Sequence, residues 1–339
     1  MLLCKKIRLV VSPAEADALE FMQGKCRGLY NWWVLRLRHG ERWLGFYQAK
    51  KTLQDSKAYD PDLREVYGKL LAEVYFRLDA AMQAFFRRVK AGESPGFPRV
   101  RPRHRFFTLC YPAMYIKVVG KSVLLPTGGK SERRKRFPTI RAHLMEMPPT
   151  GYKEVAISRD ARGHYFASFV YEAPVATREQ RETGNLVAFD LGIKTLAVGI
   201  NEHGRVYHIG GFKGHQWYNK QLDKIRSKRD RCQKRSHRYR YLSQVYQRVS
   251  EQKRNKRHDC LHKASHLIAH RLVESTVVIG DLSQRQMVTK EHEAHHKAKH
   301  RAVYNDWGLY TFVQMLTYKC ALAGKDLILL DERDTSKTC

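Results

Sequence analysis

The spacing of hydrophobic residues changes twice along the first half of the chain. Ile7, Leu9 and Val11 alternate with polar residues, which predicts a strand over residues 5–11. Apolar positions then recur every three or four residues from 19 to 37 and over 67–90, which predicts two amphipathic helices. Alternation returns in segments that predict strands at 106–111, 114–119, 122–126, 154–159 and 164–172. A small β-barrel interrupted near its start by a helical block fits this order.

The second half of the chain combines buried strands with long polar helices. An unbroken apolar run over residues 186–189 predicts a central strand buried on both faces, and this strand ends at Asp190. Two further strands follow it and complete a three-stranded meander. The later elements are a basic helical stretch, a buried strand, a helix and a last strand, at 214–273, 275–282, 306–323 and 326–334. We therefore expect an α/β protein with more than one domain.

Positive charge is concentrated in two segments. The chain has 63 Lys and Arg against 33 Asp and Glu, a formal net charge of +30 over 339 residues. The first basic segment, residues 97–136, holds 11 Lys and Arg and one acid, and the second basic segment, residues 213–257, holds 16 and three. A solvated helix face normally mixes both signs, so this imbalance predicts contact with a polyanion. A generally basic surface is the plainer alternative.

Aromatic residues are interleaved with the cations of both basic segments, for example Tyr111 in the first and Tyr239 in the second. Cations contact phosphates and rings stack on bases, so the mixture favours nucleic acid as the polyanion. No apolar run approaches the ~20 residues of a membrane span. We expect neither a membrane nor a small-molecule substrate as partner.

The seven cysteines form no C-x-x-C pair, so neither a disulfide framework nor a complete zinc site is visible. Free thiols without an export signal predict a cytoplasmic protein. Asp190 has the position of the first metal ligand in a ribonuclease-H-like fold, at the end of the first strand of a meander. A carboxylate satisfied by nearby backbone amides is the plainer alternative for Asp190.

Five separated segments, in this order, resemble the TnpB family of transposon-encoded, RNA-guided nucleases, which is regarded as ancestral to type V CRISPR effectors. They are GFPRVRPRHRFFTLCYP (96–112), GNLVAFDLGIKTLAV (184–198), RNKRHDCLHKASHLIAHRL (254–272), STVVIGDL (275–282) and the stretch from NDWGLY to the last residue (305–339). The resemblance extends from about residue 5 to residue 339.

This resemblance implies a wedge β-barrel at residues 1–12 and 93–184, a helical recognition lobe inserted at 13–92, and a RuvC nuclease domain of ribonuclease-H-like fold at 185–339. It also implies a guide RNA as cofactor, a double-stranded DNA target, and a short flanking motif that the protein reads on the target. Family members cut DNA with three RuvC carboxylates and Mg²⁺.

The sequence departs from the family pattern at its carboxylates. Gly280 replaces the family's catalytic Glu, and the adjacent Asp281 points to the opposite face of its strand unless the register slips. The family's zinc ribbon begins near Cys339 and its third catalytic Asp follows, so we expect a RuvC-like domain without its C-terminal part and without zinc. With Asp190 as a residual acid, Mg²⁺ binding is expected to be weak at most, because two-metal cleavage needs several carboxylates.

Other groups offer less convincing alternatives. Asp331, Glu332 and Asp334 lie near the end of the last strand and could substitute for the absent acids. A histidine cluster with helical spacing could bind a metal, although the stretch has little apolar support and is better explained as a loop. This cluster consists of His292, His295, His296 and His300.

The resemblance assigns nucleic-acid contacts to residues of both basic segments. In the first segment these are Arg99, Arg101, Arg103, His104, Arg105 and Phe107; in the second they are Arg226, Lys228, Arg229, Arg231, Lys234, Arg235, Arg238, Arg240, Arg254 and Arg257. The candidates for reading the flanking motif are Lys50, Thr52, Gln54, Tyr75 and Arg77.

These features predict an RNA-guided DNA-binding protein without nuclease activity that represses transcription by occupying a promoter. The defects resemble those of the family's nuclease-dead repressor offshoot. An active RuvC endonuclease is one alternative. A guide-RNA binder that does not target DNA is a second, and a degenerate product without function is a third.

Overall fold

The computed structural model describes residues 1–128, 136–175, 185–192, 195–280, 301 and 306–330. Its contacts divide the chain into two compact units, at residues 1–172 and 173–339. The boundary therefore lies 12 residues before the one predicted between the wedge and RuvC-like domains.

Among the described residues, the first unit contains seven strands and four α-helices. In chain order they are β1 (Leu2–Val10), α1 (Pro13–Arg38), α2 (Phe46–Lys51), α3 (Leu53–Tyr59), α4 (Gly68–Lys90), β2 (Leu109–Pro112), β3 (Lys117–Val119), β4 (Ser122–Leu125), β5 (Ile140–Leu144), β6 (Tyr152–Arg159) and β7 (Tyr165–Glu172). The strands pair in the order β2-β6-β7-β1-β5-β4-β3, and every pair is antiparallel. Strand β1 therefore joins the later strands across the inserted helices, as predicted.

The sheet is a curled half-barrel and not the closed barrel that the sequence predicted, because β2 and β3 are its two edges. Helix α4 packs near β2 and α1 packs near β5. Ile7 and Phe169 of the sheet lie in the same hydrophobic core as Leu19 of α1 and Leu71 of α4. The helical block at 13–92 is thus not a lobe with a core of its own.

Local sequence explains why α1 begins at Pro13. Ser12 accepts a hydrogen bond from the backbone N–H of Glu15, and the Glu15 carboxylate accepts one from the backbone N–H of Ser12 at 2.7 Å. This reciprocal pair is a capping box, and Pro13 occupies the first helical position. The second carboxylate oxygen of Glu15 accepts from the backbone N–H of Arg141 at 2.9 Å, which fastens the start of α1 beside β5.

Strand β5 was not predicted, although Ile140, Ala142 and Leu144 alternate and are buried. Its neighbours in the sequence are a basic stretch and several prolines, which obscured so short a period. Residues 113–115, which include the start of the strand predicted at 114–119, instead form a 3₁₀ turn before β3.

The second unit, in the part of the chain that the structure describes, is built on five strands. Its elements are β8 (Leu186–Leu191), β9 (Ala197–Asn201), β10 (Val206–Ile209), α5 (His215–Asp230), α6 (His237–His266), a π-helical segment (Leu267–Arg271), β11 (Thr276–Gly280), α7 (Leu309–Leu322) and β12 (Asp326–Leu330). The strand order is β10-β9-β8-β11-β12; β9 is antiparallel to β8 and β10, whereas β11 is parallel to β8 and β12.

One face of this sheet carries the core of the second unit. Val187, Phe189 and Leu191 are buried with Leu261 of α6 and Phe312 of α7. The prediction that β8 is buried on both faces was wrong, because Ala188 and Asp190 alternate with those residues and are exposed. The described helices pack against one face only, which leaves the Asp190 face accessible.

The long basic helix predicted over 214–273 is two helices joined by a turn at residues 231–236. Arg235 in this turn has a φ of 70°, a left-handed conformation that is uncommon for a residue with a β-carbon. Ser236 begins α6 by accepting a hydrogen bond from the backbone N–H of Tyr239. We call α5, the turn and α6 the basic hairpin.

The capping box leads to a stability prediction for the first unit. Ser12→Ala removes one cap and is expected to lower the free energy of unfolding by about 1 kcal/mol. Glu15→Ala removes its bonds to Ser12 and to the Arg141 backbone, so its effect should be larger. Chemical denaturation measures both, with Asp17→Ala as a control on the same helix that has no capping bond. Equal stability of Ser12→Ala and the unsubstituted chain would contradict this account.

Candidate nucleic-acid interface

Helix α1 holds the backbone of the first basic segment. The Asn31 side chain accepts a hydrogen bond from the Arg101 backbone N–H at 2.7 Å and donates one to the Arg101 carbonyl at 2.9 Å. Arg27 donates to the Arg103 carbonyl at 3.4 Å, and Arg38 donates to the Pro98 carbonyl at 3.2 Å. Residues 97–108 of this segment form no helix or strand, so these bonds fix the path of the chain there.

Because the main chain of the segment is held, its side chains are presented outward. Arg99, Arg101, Arg103, His104 and Arg105 are all exposed. None of the four arginines forms an ion pair within the described part of the chain. The Arg101 guanidinium lies 5.3 Å from the centroid of the Tyr30 ring, a cation–π contact. The result is a row of accessible guanidinium groups suited to phosphate contact.

Phe107 does not belong to this surface, and its assignment to nucleic-acid binding was wrong. Its side chain is 5% exposed and belongs to the core of the first unit. Its backbone N–H donates to Gln23 at 3.1 Å, and its ring lies 5.8 Å from that of Tyr30. The chain enters the core at this point, so Arg105 is exposed whereas Phe107 is buried.

The candidates for reading a flanking motif likewise include both exposed and buried residues. Lys50 and Gln54 are exposed, while Thr52 is half-buried and donates its hydroxyl to the Ala49 carbonyl at 2.7 Å. The prediction for Tyr75 was wrong, because this residue has no exposed surface and lies on the core face of α4. Arg77 is half-buried: it donates to the Cys110 sulfur at 2.9 Å and stacks 4.6 Å from the Phe107 ring centroid.

Arginine and tyrosine side chains connect the two helices of the basic hairpin. Arg226 of α5 donates to the Tyr246 hydroxyl of α6 at 2.8 Å, a bond that raises the pKa of Arg226 above its ordinary value. Arg229 lies 5.7 Å from the ring centroid of Tyr239 and 5.4 Å from that of Tyr246. These contacts fix the ends of the helices near the turn.

Most predicted contact residues of the hairpin have accessible side chains. The exposed ones are Arg226, Lys228, Arg231, Lys234, Arg235, Arg238, Arg240 and Arg254. Arg229 and Arg257 are half-buried, and Arg229 also pairs with Asp230 at 2.8 Å. Burial lowers the pKa of Arg257. The exposed cations concentrate at and beside the turn, where few acids oppose them.

A buried polar cluster, which no pattern in the sequence indicated, fastens the hairpin at the end opposite its turn. Lys253 of α6 forms an ion pair with Asp306, and the side chains of these residues are 10% and 4% exposed. Asn219 of α5 completes the cluster: it donates to Asp306 at 2.8 Å and accepts from Lys253 at 2.7 Å. Both charges are therefore paired and hydrogen-bonded, as burial requires.

Asp190 and Gly280 lie near the ends of two neighbouring parallel strands, β8 and β11. Ile279 of β11 is in register with Phe189 of β8, so the next residues, Gly280 and Asp190, stand at the same level. Asp190 is exposed on the accessible face of the sheet. The position beside it, where a second carboxylate could share a metal ion, has no side chain.

Several candidate ligands lie outside the described residues: Asp281, Asp331, Glu332 and Asp334, and the histidines at 292, 295, 296 and 300. The described ranges contain no group of three or more His, Cys, Asp or Glu side chains arranged to hold a metal ion. They also contain no helix that is long and apolar enough to cross a membrane.

The buried cluster predicts a strong asymmetry between single and double substitutions. Lys253→Met leaves the Asp306 carboxylate buried and unpaired, and we expect a decrease of about 3–5 kcal/mol in the free energy of unfolding. Lys253→Met combined with Asp306→Leu should cost less than Lys253→Met alone, because no charge is then left buried. Lys263→Ala is the control, since its pair with Asp259 is exposed and should contribute little to stability. Additive effects in denaturant titrations would contradict this description.

The turn of the hairpin predicts a change in salt dependence. Replacing Arg231, Lys234, Arg235 and Arg240 by Ala should weaken nucleic-acid binding, and the slope of log K against log salt should fall by about 0.7–0.9 for each phosphate that is no longer neutralised. Fluorescence anisotropy at several salt concentrations measures this slope. The control replaces four exposed cations outside both basic segments: Arg8, Arg42, Arg87 and Lys90. Equally weakened binding by the two variants would show that total charge, and not the hairpin, governs binding.

Comparison with known proteins gives two family matches. A model described as a probable transposase, OrfB_IS605, matches residues 168–291. A model described as the Cas12f1-like TNB domain matches residues 310–339. No curated protein sequence matches the chain.

The fold resembles that of a solved protein structure described as a Cas12f1–sgRNA–target DNA complex. The TM-score is 0.63 at 11% sequence identity, and the match covers 97% of this chain and 75% of the other. A CRISPR–Cas12f ternary complex also matches, at 14% identity over 96% of this chain and 73% of the other, with a TM-score of 0.37. The transposase match supports the expected resemblance to the TnpB family over residues 168–291, and the likeness to Cas12f1 is one of fold.

Proposed function

We propose that this protein is an RNA-guided DNA-binding protein that holds its target without cutting it. The observation that carries the proposal is the pairing of β8 with β11, which sets Gly280 beside Asp190. Two-metal phosphodiester cleavage needs carboxylates that hold two ions about 4 Å apart, one for the attacking and one for the leaving oxygen. Within the described residues, Asp190 beside a glycine provides one carboxylate, whereas a two-metal site needs several carboxylates that bridge the ions.

Two features support guide RNA and target DNA as partners. The Cas12f1 chain with the similar fold was solved with an sgRNA and a target DNA. The two basic segments present rows of exposed cations whose supporting contacts leave the guanidinium groups free for phosphate. Contacts between these cations and phosphates do not depend on the base sequence. Specificity would therefore come from guide–target pairing and from a short motif read beside it.

Binding without cutting has one direct consequence for a gene. A protein that remains on a promoter blocks access of RNA polymerase, so occupancy represses transcription. The basic surface, which in a nuclease holds the substrate for cleavage, here determines how long the target stays bound.

An active nuclease is the competing candidate. It is favoured by Asp190 itself, which keeps the position of a first metal ligand and faces the accessible side of the sheet. The two candidates make opposite predictions for the same reaction mixture.

The deciding experiment begins with sequencing of RNA that co-purifies with the full chain, which identifies the guide. The complex is then given matched double-stranded DNA and Mg²⁺. We expect nanomolar binding and a footprint over the target at moderate salt, with the DNA intact. A mismatched target and a guide-free preparation are the controls for the footprint.

Guide-dependent double-strand cuts that disappear in Asp190→Ala would overturn the proposal in favour of the nuclease. Tight RNA binding without any guide-dependent footprint would instead indicate a guide-RNA binder that does not target DNA. Promoter occupancy is tested by a reporter gene placed behind the matched sequence, whose expression should fall only when guide and target match.

A further inference from the structure

A cleft of about 330 Å³ lies within the second unit, at the ends of β8 and β10. Gly192, two residues beyond Asp190, and Gly211 form part of its wall. Leu196 and Leu261 line it and are 4% and 1% exposed, so they give it an apolar floor. The cleft is therefore next to the strand end that carries Asp190, and nothing in the proposed function uses it.

Two aromatic rings, those of Phe212 and Trp307, also line the cleft. Both side chains are half-buried, so each presents part of its ring to the cavity and part to the protein. A planar, uncharged group that enters an apolar cleft gains most when it packs on such a ring. The floor and the rings together favour an aromatic heterocycle over an aliphatic chain.

Polar groups stand around the same cavity. Lys213 is exposed and begins the second basic segment. The Nδ1 atom of His215 donates to the Phe212 carbonyl at 3.0 Å, so in the neutral ring the Nε2 atom is left as an acceptor. Asp306 lines the cavity with a 4%-exposed side chain, whose geometry is fixed by Lys253 and Asn219.

We propose that this cleft binds one unstacked nucleotide of a single-stranded nucleic acid. Its base packs on the ring of Trp307 or Phe212 over the Leu196–Leu261 floor. The Nε2 acceptor of His215 faces a donor group on the base edge, and Lys213 contacts the adjacent phosphate. The volume is at the small end of the ~300–1,000 Å³ range of small-ligand pockets, which suits one nucleotide and excludes a duplex.

The position of the cleft selects a nucleic-acid strand over a free metabolite. It lies at the start of α5, and the exposed Lys220 and Lys224 of that helix lie between Lys213 and the cations near the turn. A strand that follows those cations arrives at the cleft with its phosphates already neutralised, and only one base has to leave the stack. Stacking on aromatic side chains is tolerant of sequence, because every base has a π-face.

The test measures binding of short fluorescent oligonucleotides to the full chain by anisotropy, with single-stranded DNA and single-stranded RNA as separate arms. Trp307→Ala should weaken binding roughly 5-fold to 100-fold, the range expected when one stacked base is released. Trp307→Phe should retain most of the affinity. Lys213→Ala should weaken binding and reduce the salt slope by about one phosphate contact. If Trp307→Ala weakens the binding of one kind of oligonucleotide more than the other, that kind, DNA or RNA, has the sugar that the cleft accepts.

Matched controls separate the cleft from general effects. Tyr310→Ala removes an exposed aromatic residue of α7, and Lys263→Ala removes an exposed cation of α6; neither lines the cleft. Both should bind within about twofold of the unsubstituted chain. Thermal melting identifies any variant that loses its fold, and because Lys213 is exposed, Lys213→Ala tests the cleft even if Trp307→Ala is unstable.

A second measurement uses an oligonucleotide of the same length in which every base is replaced by an abasic unit. The difference between the unsubstituted chain and Trp307→Ala should then disappear, because no base remains to stack. The proposal is overturned if Trp307→Ala and Lys213→Ala bind single strands as well as their controls. It is also overturned if an acidic peptide displaces the oligonucleotide from the unsubstituted chain but not from Lys213→Ala.

This inference deepens the proposed function, but its failure can be distinguished from the failure of that function. Single-strand binding that depends on Trp307 needs neither a guide nor a matched target. The guided footprint could survive an empty cleft, and the cleft could bind a nucleotide in a protein that targets no DNA.

Discussion

Repulsion among like charges is the constraint that shapes this molecule. A chain with a formal net charge of +30 has to hold its cations apart while it packs two cores. Uncompensated positive charge destabilises a compact state, and a bound polyanion relieves the repulsion. Each basic segment is therefore secured by groups other than its own exposed cations.

The two units meet this constraint differently. In the first, side chains of α1 bind carbonyl and N–H groups of the basic segment, so Asn31 holds Arg101 by its main chain and leaves the guanidinium outward. In the second, the buried pair of Lys253 and Asp306 secures the hairpin far from its charged turn. In both, the anchoring is separate from the binding surface, which lets that surface remain unpaired until a ligand arrives.

The sequence predicted the fold where one local pattern dominated. The alternation of Ile7 and Leu9, the stripe through Leu71 and the apolar run at 186–189 each correspond to an observed element. Prediction from the sequence failed where the burial of a residue depends on partners far along the chain. Ala188 looked like part of a doubly buried strand, and β5 was hidden by its basic and proline-rich neighbours.

The exposure of the candidate site residues could also be predicted from the sequence only in part. Clustered charge correctly indicated exposed arginines, because such residues rarely have enough acids to pair with internally. Aromatic residues could not be sorted in this way: Phe107 and Tyr75 are core residues, although their sequence neighbours are exposed. The cluster of Asn219, Lys253 and Asp306 joins three distant parts of the chain, so no local signal could have identified it.

The central claim is that the strand ends of β8 and β11 do not hold a catalytic metal pair. The most direct measurement is a structure of the guide- and target-bound protein prepared with Mn²⁺, whose positions are identified by anomalous scattering. We expect no pair of ions at Asp190 and Gly280, and at most one weakly occupied site on Asp190. Two ions about 4 Å apart, bridged by Asp190 and a second carboxylate of this chain, would contradict the account.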